Sequence, residues 1–195
     1  LYKATGLALT GLAVSIPLDA GLFNIGGEAQ LGAGIFTCAL AGTALPAGTP
    51  AAIAIPVCTL AAIAGGAAIG WLIGFLRARR DAHEVITSIM FNAIVAGVVL
   101  VEGSRHVFQG GTTTGAPIVR GAQLPQLGLA GSAASVAIVF ALGAALLVWW
   151  LRARTTWGQA WLACGRDVAA ARSTGIDVGR VRVLGRTGAG ALAGL

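Results

Sequence analysis

The stretch AAIAIPVCTLAAIAGGAAIGWLIGFLRARR, Ala51–Arg80, is an apolar run that ends in three arginines. Residues 51–76 carry no charged side chain, and about 20 such residues are enough to cross a bilayer as a helix. Lys and Arg accumulate on the cytoplasmic side of membrane spans, so Arg77, Arg79 and Arg80 mark this end as cytoplasmic and the segment as descending from outside to inside. Within it Gly66, Gly70 and Gly74 recur at i, i+4 and i+8. That spacing lines one helix face with small residues against which another helix backbone can pack closely.

The rest of the chain has the same character. Of its 195 residues 56% are hydrophobic and only 10% charged, where a soluble domain has about one quarter charged; the mean hydropathy is +0.84. Two further runs, 84–102 and 131–151, are also of spanning length. The expected fold is therefore all-α, a polytopic transmembrane helical bundle that occupies residues 1–195 as one domain. The formal charge of +6 belongs to arginines flanking apolar spans, which the positive-inside rule explains without any nucleic acid. Cys38, Cys58 and Cys164 show no CxxC spacing and no nearby His, so packing is their expected role and no metal site is expected. The chain begins at Leu1 and stops within the apolar run TGAGALAGL, Thr187–Leu195, and reads as a piece of a longer protein truncated at both ends.

After the arginines a short turn leads into 84–102, which returns to the outside. The following residues, 103–130, are rich in Gly, Thr, Pro and Gln and read as an external loop with short local elements. The span 131–151 ends in Trp149, Trp150, Arg152 and Arg154, the composition of a cytoplasmic interface. Residues 152–182 then form a cytoplasmic loop carrying Arg152, Arg154, Arg166, Arg172, Arg180 and Arg182. In it Trp157 and Trp161, four apart, are positioned to share a helix face at the membrane surface. Further on, GRDVAAARSTGI predicts a short helix with Asp167 as N-cap, Arg172 near its end and Gly175 as the C′ stop.

The first 45 residues need a break. As one helix, residues 4–45 would extend about 63 Å, roughly twice the hydrocarbon thickness. Pro17, Asp19, Gly21, Gly26 and Gly27 are the available breakers, so a broken helix is expected near residues 17–28. There lies GLFNIGGEAQ, Gly21–Gln30, a carboxylate and two amides in apolar surroundings. If residues 4–17 make a full span, this motif lies at the cytoplasmic surface; if half of one, at mid-depth. An ionisable group inside a membrane costs about 3 kcal/mol and usually faces a partner or a water-filled path. Asn24, Glu28 and Gln30 therefore either line or brace a polar solute path, or cap a helix start and satisfy freed backbone groups.

A second polar set, HEVITSIMFNAI, opens the next span. It lacks the second His of HExxH, having Thr87 at that place. Glu84 at a helix start suits the macrodipole, while Ser88 and Asn92 share a face that can hydrogen-bond to a neighbouring helix. The chain contains no Walker A motif, GxGxxG fingerprint or GxSxG elbow. No catalytic residue is expected here, and ATP-driven work requires another subunit.

Taken together these segments resemble a permease subunit of the bacterial ABC importers for nucleosides and simple sugars, the branch working with basic membrane protein type lipoproteins. The family pattern G-x-F-N-I-G-x-E-G-Q is answered by GLFNIGGEAQ. Basic residues followed by H-E-V-I-x-T-I-M-x-N are answered by RARRDAHEVITSIMFN, and R-T-x-x-G with R-A-x-G-x-N-x-x-A-A-x-x-x-G-I by RTTWGQAWLACGRDVAAARSTGI. Ala29, Leu162 and Asp167 depart from the family's Gly, Arg and Asn. Asp167 can still cap its helix, while Leu162 removes an Arg from the surface offered to the ATPase.

The resemblance implies a coupling helix built on Gly165, Asp167, Ala170, Arg172 and Gly175, docking on a cytoplasmic ABC ATPase that binds ATP and Mg. It places Asn24, Glu28, Gln30 and Asn92 in the translocation path or its supports. The implied partners are a second homologous permease subunit and an extracytoplasmic substrate-binding lipoprotein, and the implied location is the bacterial plasma (inner) membrane, multi-pass. The competing readings are a branched-chain amino acid permease, a polytopic membrane enzyme on lipid-linked substrates that would have to gather Asp19, Glu28, His83 and Glu84, and a purely structural membrane subunit.

Overall fold

The computed structural model describes residues 2–46, 48–80, 82–108, 115, 118–122 and 136–195. Among them the chain forms eight α-helices: α1 (Tyr2–Asp19), α2 (Gly27–Ala44), α3 (Ala51–Arg80), α4 (Glu84–His106), α5 (Ala137–Arg154), α6 (Thr156–Arg166), α7 (Val168–Ser173) and α8 (Val178–Gly194). Three of them, α3, α4 and α5, are long and apolar enough to cross a membrane. Their outer faces leave Ile89, Leu100, Leu142 and Leu146 more than half exposed, as expected of helices whose solvent is lipid.

The glycine stripe on α3 meets α8, which runs antiparallel to it. A Cβ at Gly66 would strike the Gly190 carbonyl, one at Gly70 the Arg186 carbonyl, and one at Gly74 would lie 3.0 Å from the Val183 Cα. The reciprocal positions on α8, Gly190 and Gly194, would strike the backbone of Gly66 and Ala62. Two helices thus touch through their main chains, with close packing replacing the hydrophobic drive that lipid removes. On its other flank α3 meets α2, where Thr37 Oγ1 donates to the Ala61 carbonyl at 2.8 Å.

The boundaries differ from the sequence expectation in three places. α4 continues to His106, inside the expected external loop; in its last turn Glu102 pairs with Arg105 at 3.2 Å and lies 3.6 Å from His106. Of the rest of 103–130, the described residues include a bridge between Phe108 and Gly115 and a 3-10 turn, Arg120–Ala122; 109–114, 116–117 and 123–130 lie outside the described residues. In the span expected over 131–151, residues 131–135 are likewise outside them, and α5 runs on to Arg154. The arginine-rich loop expected over 152–182 shortens to a few connecting residues and two short helices. Asp177 Oδ1 accepts from the Arg180 N–H at 3.0 Å and so starts α8 at Val178.

Residues 2–19 form one uninterrupted helix that reaches the arginine-rich end of the bundle. There the Asp19 carboxylate pairs with Arg152 at the end of α5. The break between α1 and α2 therefore lies at that end and spans residues 20–26. Pro17 is no breaker: it sits in the last turn of α1, fully buried. Trp157 and Trp161 also part company, Trp161 entering the core and Trp157 staying half-exposed.

Candidate functional site

The chain leaves α1 through Gly21, whose φ of +72° a side chain would strain. The Leu22 N–H bonds the Pro17 carbonyl at 2.9 Å and the Gly21 N–H the Leu18 carbonyl at 3.0 Å, the Schellman pattern, with Leu22 tucked into the core behind it. Pro17 has no N–H to give the Ala13 carbonyl four residues back. That carbonyl is instead taken by Asn24 Nδ2 at 3.1 Å. The other Asn24 bonds go to Gln30: Asn24 Nδ2 donates to Gln30 Oε1 at 3.0 Å, and Gln30 Nε2 donates to Asn24 Oδ1 at 3.3 Å. Both amides are buried, and pairing them removes the cost of burying polar groups unbonded.

Asn92 of α4 spans the end of the break. Its Oδ1 accepts from the Ala29 N–H at 3.0 Å and its Nδ2 donates to the Ile25 carbonyl at 3.2 Å. Gly26, at the N-cap of α2, has no side chain to satisfy the first-turn N–H groups, so Asn92 caps the helix from a neighbour. Glu84, about two helix turns before Asn92 on α4, does more than suit the macrodipole. Its Oε1 accepts from the Phe23 N–H at 3.1 Å and its Oε2 from Arg186 Nη2 at 3.2 Å. Arg186 Nη2 also donates to the Phe23 carbonyl at 2.8 Å, and Nη1 reaches Ser88 Oγ at 3.4 Å. Phe23 is thereby held at both its main-chain groups by a fully buried arginine on α8 and a largely buried glutamate on α4. Removal of either charge would leave the other unpaired away from water.

Glu28 is different. It lies in the first turn of α2, exposed, and among the described residues it forms no hydrogen bond or ion pair. It heads a stripe continued by the exposed Leu31 and Ile35. Of the four polar residues singled out from the sequence, Asn24, Gln30 and Asn92 are tied into the break and Glu28 faces away from it.

The short helices stand on the same end. Thr155 Oγ1 accepts from the Gly158 N–H at 3.2 Å and starts α6. Asp167 Oδ1 accepts from the Ala169 and Ala170 N–H groups at 2.7 and 3.1 Å and starts α7. Gly175, with φ +83°, ends α7 by a second Schellman turn, Ile176 N–H to Ala171 O at 3.1 Å and Gly175 N–H to Arg172 O at 3.0 Å. Ala171 anchors α7 inward, leaving Ala169, Ala170, Arg172 and Ser173 exposed. Gly165 also meets α1: a Cβ there would strike the Asp19 carbonyl, making it the close contact between α6 and the end of α1. One apolar cluster joins these parts, with Ile16 of α1, Leu22 of the break, Val148 of α5, Trp161 and Cys164 of α6, Ala171 of α7, and Val178 and Val181 of α8. Burial raises the Cys164 thiol above its ordinary pKa, with the nearby Arg182 opposing weakly, so this thiol stays protonated and inert at neutral pH.

Sequence reasoning missed Arg186. Its signal is a charge in VLGRTGAG, nine positions beyond the last loop acid, Asp177, and beside a new apolar run, where a lone arginine asks for a buried partner.

An antiparallel bundle of apolar helices with a capped break and short amphipathic helices at its arginine-rich end defines a polytopic helical membrane protein. The chain belongs to the family described as the branched-chain amino acid transport system, permease component, whose model matches residues 1–195. Among curated relatives, a guanosine ABC transporter permease protein of Bacillus subtilis is 33% identical over 202 residues, covering 100% of this chain and 56% of that protein. A nucleoside ABC transporter permease protein of Lactococcus lactis subsp. cremoris is 28% identical over 97% of this chain and 54% of its own length. A glucose ABC transporter permease protein of Haloferax volcanii is 44% identical over 114 residues, 57% of this chain and 29% of that protein. The chain thus spans about half the length, or less, of the curated relatives it matches. No solved structure matches it significantly.

Proposed function

We propose that this chain is part of the membrane-spanning permease subunit of an ATP-driven importer of nucleosides or simple sugars. The observation that carries the reading is the match along the whole chain to permeases named for guanosine and for nucleosides. In this reading the arginine-rich end faces the cytoplasm, and the membrane is the bacterial plasma membrane. The exposed face of α7, with Asp167, Ala170, Arg172 and Gly175, docks on a separate ABC ATPase that carries ATP and Mg. A second permease subunit completes the pore and an extracytoplasmic lipoprotein delivers solute. Glu28 contacts the solute path, while Asn24, Gln30 and Asn92 keep the break in shape. Movement of α7 reaches the break through the apolar cluster that holds Ala171, Trp161 and Leu22 together. A membrane-enzyme reading loses support, since Asp19 is engaged by Arg152 and Glu84 by Arg186.

The test is uptake of radiolabelled nucleosides, simple sugars and branched-chain amino acids by cells carrying the full-length gene with its neighbours, comparing wild type with Glu28→Ala. Nucleoside or sugar uptake is expected, falling to background in the variant while protein level is kept. Uptake of branched-chain amino acids alone would overturn the solute class. Uptake indifferent to Glu28 would reduce that carboxylate to a partner of the helix dipole.

Orientation is tested separately. With Cys38, Cys58 and Cys164 replaced by alanine, a Ser173→Cys variant is expected to resist a membrane-impermeant maleimide in intact cells and to react fully once the membrane is opened. Labelling in intact cells would place α7 outside and sink the coupling role.

A further inference from the structure

Between the end of α3 and the α7–α8 connection lies a half-open cavity of about 830 Å³, within the size range of small-ligand sites. Arg77, Arg79 and Arg80 enter it from α3, Arg172 from α7 and Arg182 from the second turn of α8; the one carboxylate among its lining residues is Asp177. Asp177 is already engaged, its Oδ1 by the Arg180 N–H and its Oδ2 by the Arg180 side chain at 4.0 Å. Asp81, next to Arg80 in sequence, lies outside the described residues. Elsewhere at this end Arg152 is paired with Asp19 and Arg186 with Glu84. Arg79, Arg80, Arg172 and Arg182 have none among the described residues, and Arg182 Nε is buried without a hydrogen-bond partner.

The positive-inside rule asks for arginines near this end of the spans. It does not ask that residues a hundred positions apart in sequence turn into one concavity, where like charges repel. The geometry points to a site for a phosphate group, supplied by the headgroup of an anionic phospholipid of the adjoining leaflet. Guanidinium forks match phosphate oxygens two at a time, and basic pockets between membrane helices are suited to such headgroups. The adjacent surface fits the rest of a lipid. Trp71, half-exposed on α3, stacks on Phe75 at 5.2 Å between ring centres, and the Arg79 guanidinium stands 5.8 Å from the Phe75 ring. An aromatic pair one turn above a cationic pocket marks the level where acyl chain gives way to headgroup. The site shares Arg172 with the α7 face assigned to the ATPase, but its other arginines lie on α3 and α8 and lipid binding needs no ATPase.

The experiment uses the full-length chain purified in an uncharged detergent, with phosphatidylglycerol, phosphatidylcholine and inorganic phosphate as probes. Binding is read by native mass spectrometry and by the shift in thermal unfolding. Wild type is expected to bind phosphatidylglycerol in preference to phosphatidylcholine, and Arg79→Gln/Arg80→Gln to weaken it about thirtyfold, since each surface arginine contributes roughly 1 kcal/mol to such binding. These two side chains are exposed, so their loss leaves folding intact; Arg182→Gln, tested alongside, is expected to weaken binding at least as much. Saturable binding of inorganic phosphate without preference among lipids, again lost in the variants, would keep the phosphate site and overturn its lipid source. Equal behaviour of wild type and variants towards every probe would overturn the site. So would a difference seen only as weaker co-purification of an ATPase, which would assign the surface to that protein.

Discussion

Arg186→Met in the full-length protein is expected to cost about 3 kcal/mol of stability, the usual penalty for leaving half of a buried ion pair. The guanidinium is fully buried and holds both Glu84 and the Phe23 carbonyl. Methionine fills much of the volume but leaves the largely buried Glu84 carboxylate without its counter-charge and the Phe23 carbonyl without its donor. Thermal unfolding of the detergent-purified protein reads the loss. The double variant Arg186→Met/Glu84→Gln removes both charges and is expected to recover most of it, because a neutral amide can still accept from the Phe23 N–H. A single variant as stable as wild type would show that the clasp does not hold the break. Recovery in stability without recovery of uptake would show that the charges themselves matter to transport.

Gly190→Leu is expected to have an effect at least as large, through a different mechanism. A Cβ at this position would strike the Gly66 carbonyl and lie 3.2 Å from the Gly70 Cα. The obstacle is main chain, which cannot rotate away, so α3 and α8 must separate along the seam that packs α8 against the bundle. Overpacking a core costs about 1–3 kcal/mol when side chains can yield, and more is expected where they cannot. The outcome is little or no monodisperse protein after detergent extraction. Gly188→Leu is the control: a Cβ there meets nothing within 4 Å, and near wild-type yield is expected. Equal yields from the two variants would refute the seam.

The sequence made parts of this architecture readable for identifiable reasons. Residues 51–76 carry no charge, so their capacity to span follows from the transfer energies of single residues. The α7 helix was readable because its signals, Asp167 at one end and Gly175 at the other, act within one or two turns of themselves. The need for a break before α2 followed from length alone. Pro17 misled because a proline inside a helix is tolerated once something else serves the carbonyl it abandons, and that something, Asn24, is folded back from beyond the turn. Gly165 shows a contact of the same kind, invisible to its local sequence: its neighbours form the short helices, while its close contact is Asp19 of α1.

The candidate site was half legible. Asn24, Gln30 and Asn92 stood out as amides in apolar surroundings, but whether they faced a path or each other depended on bonds between α1, α2 and α4. Glu84 read as a helix-start acid, and only the return of α8 supplied Arg186 to it. Hydropathy, charge asymmetry and capping are properties of single segments, so the helical class, the spans and the short capped helix were already present in the chain's own order of residues. The pairing of Gly66 with Gly190, the capping of α2 by Asn92, the clasp on Phe23 and the gathering of arginines from three helices join residues from about 60 to more than 160 positions apart. Such contacts exist only after the helices pack, because their energies depend on distances that no local signal carries.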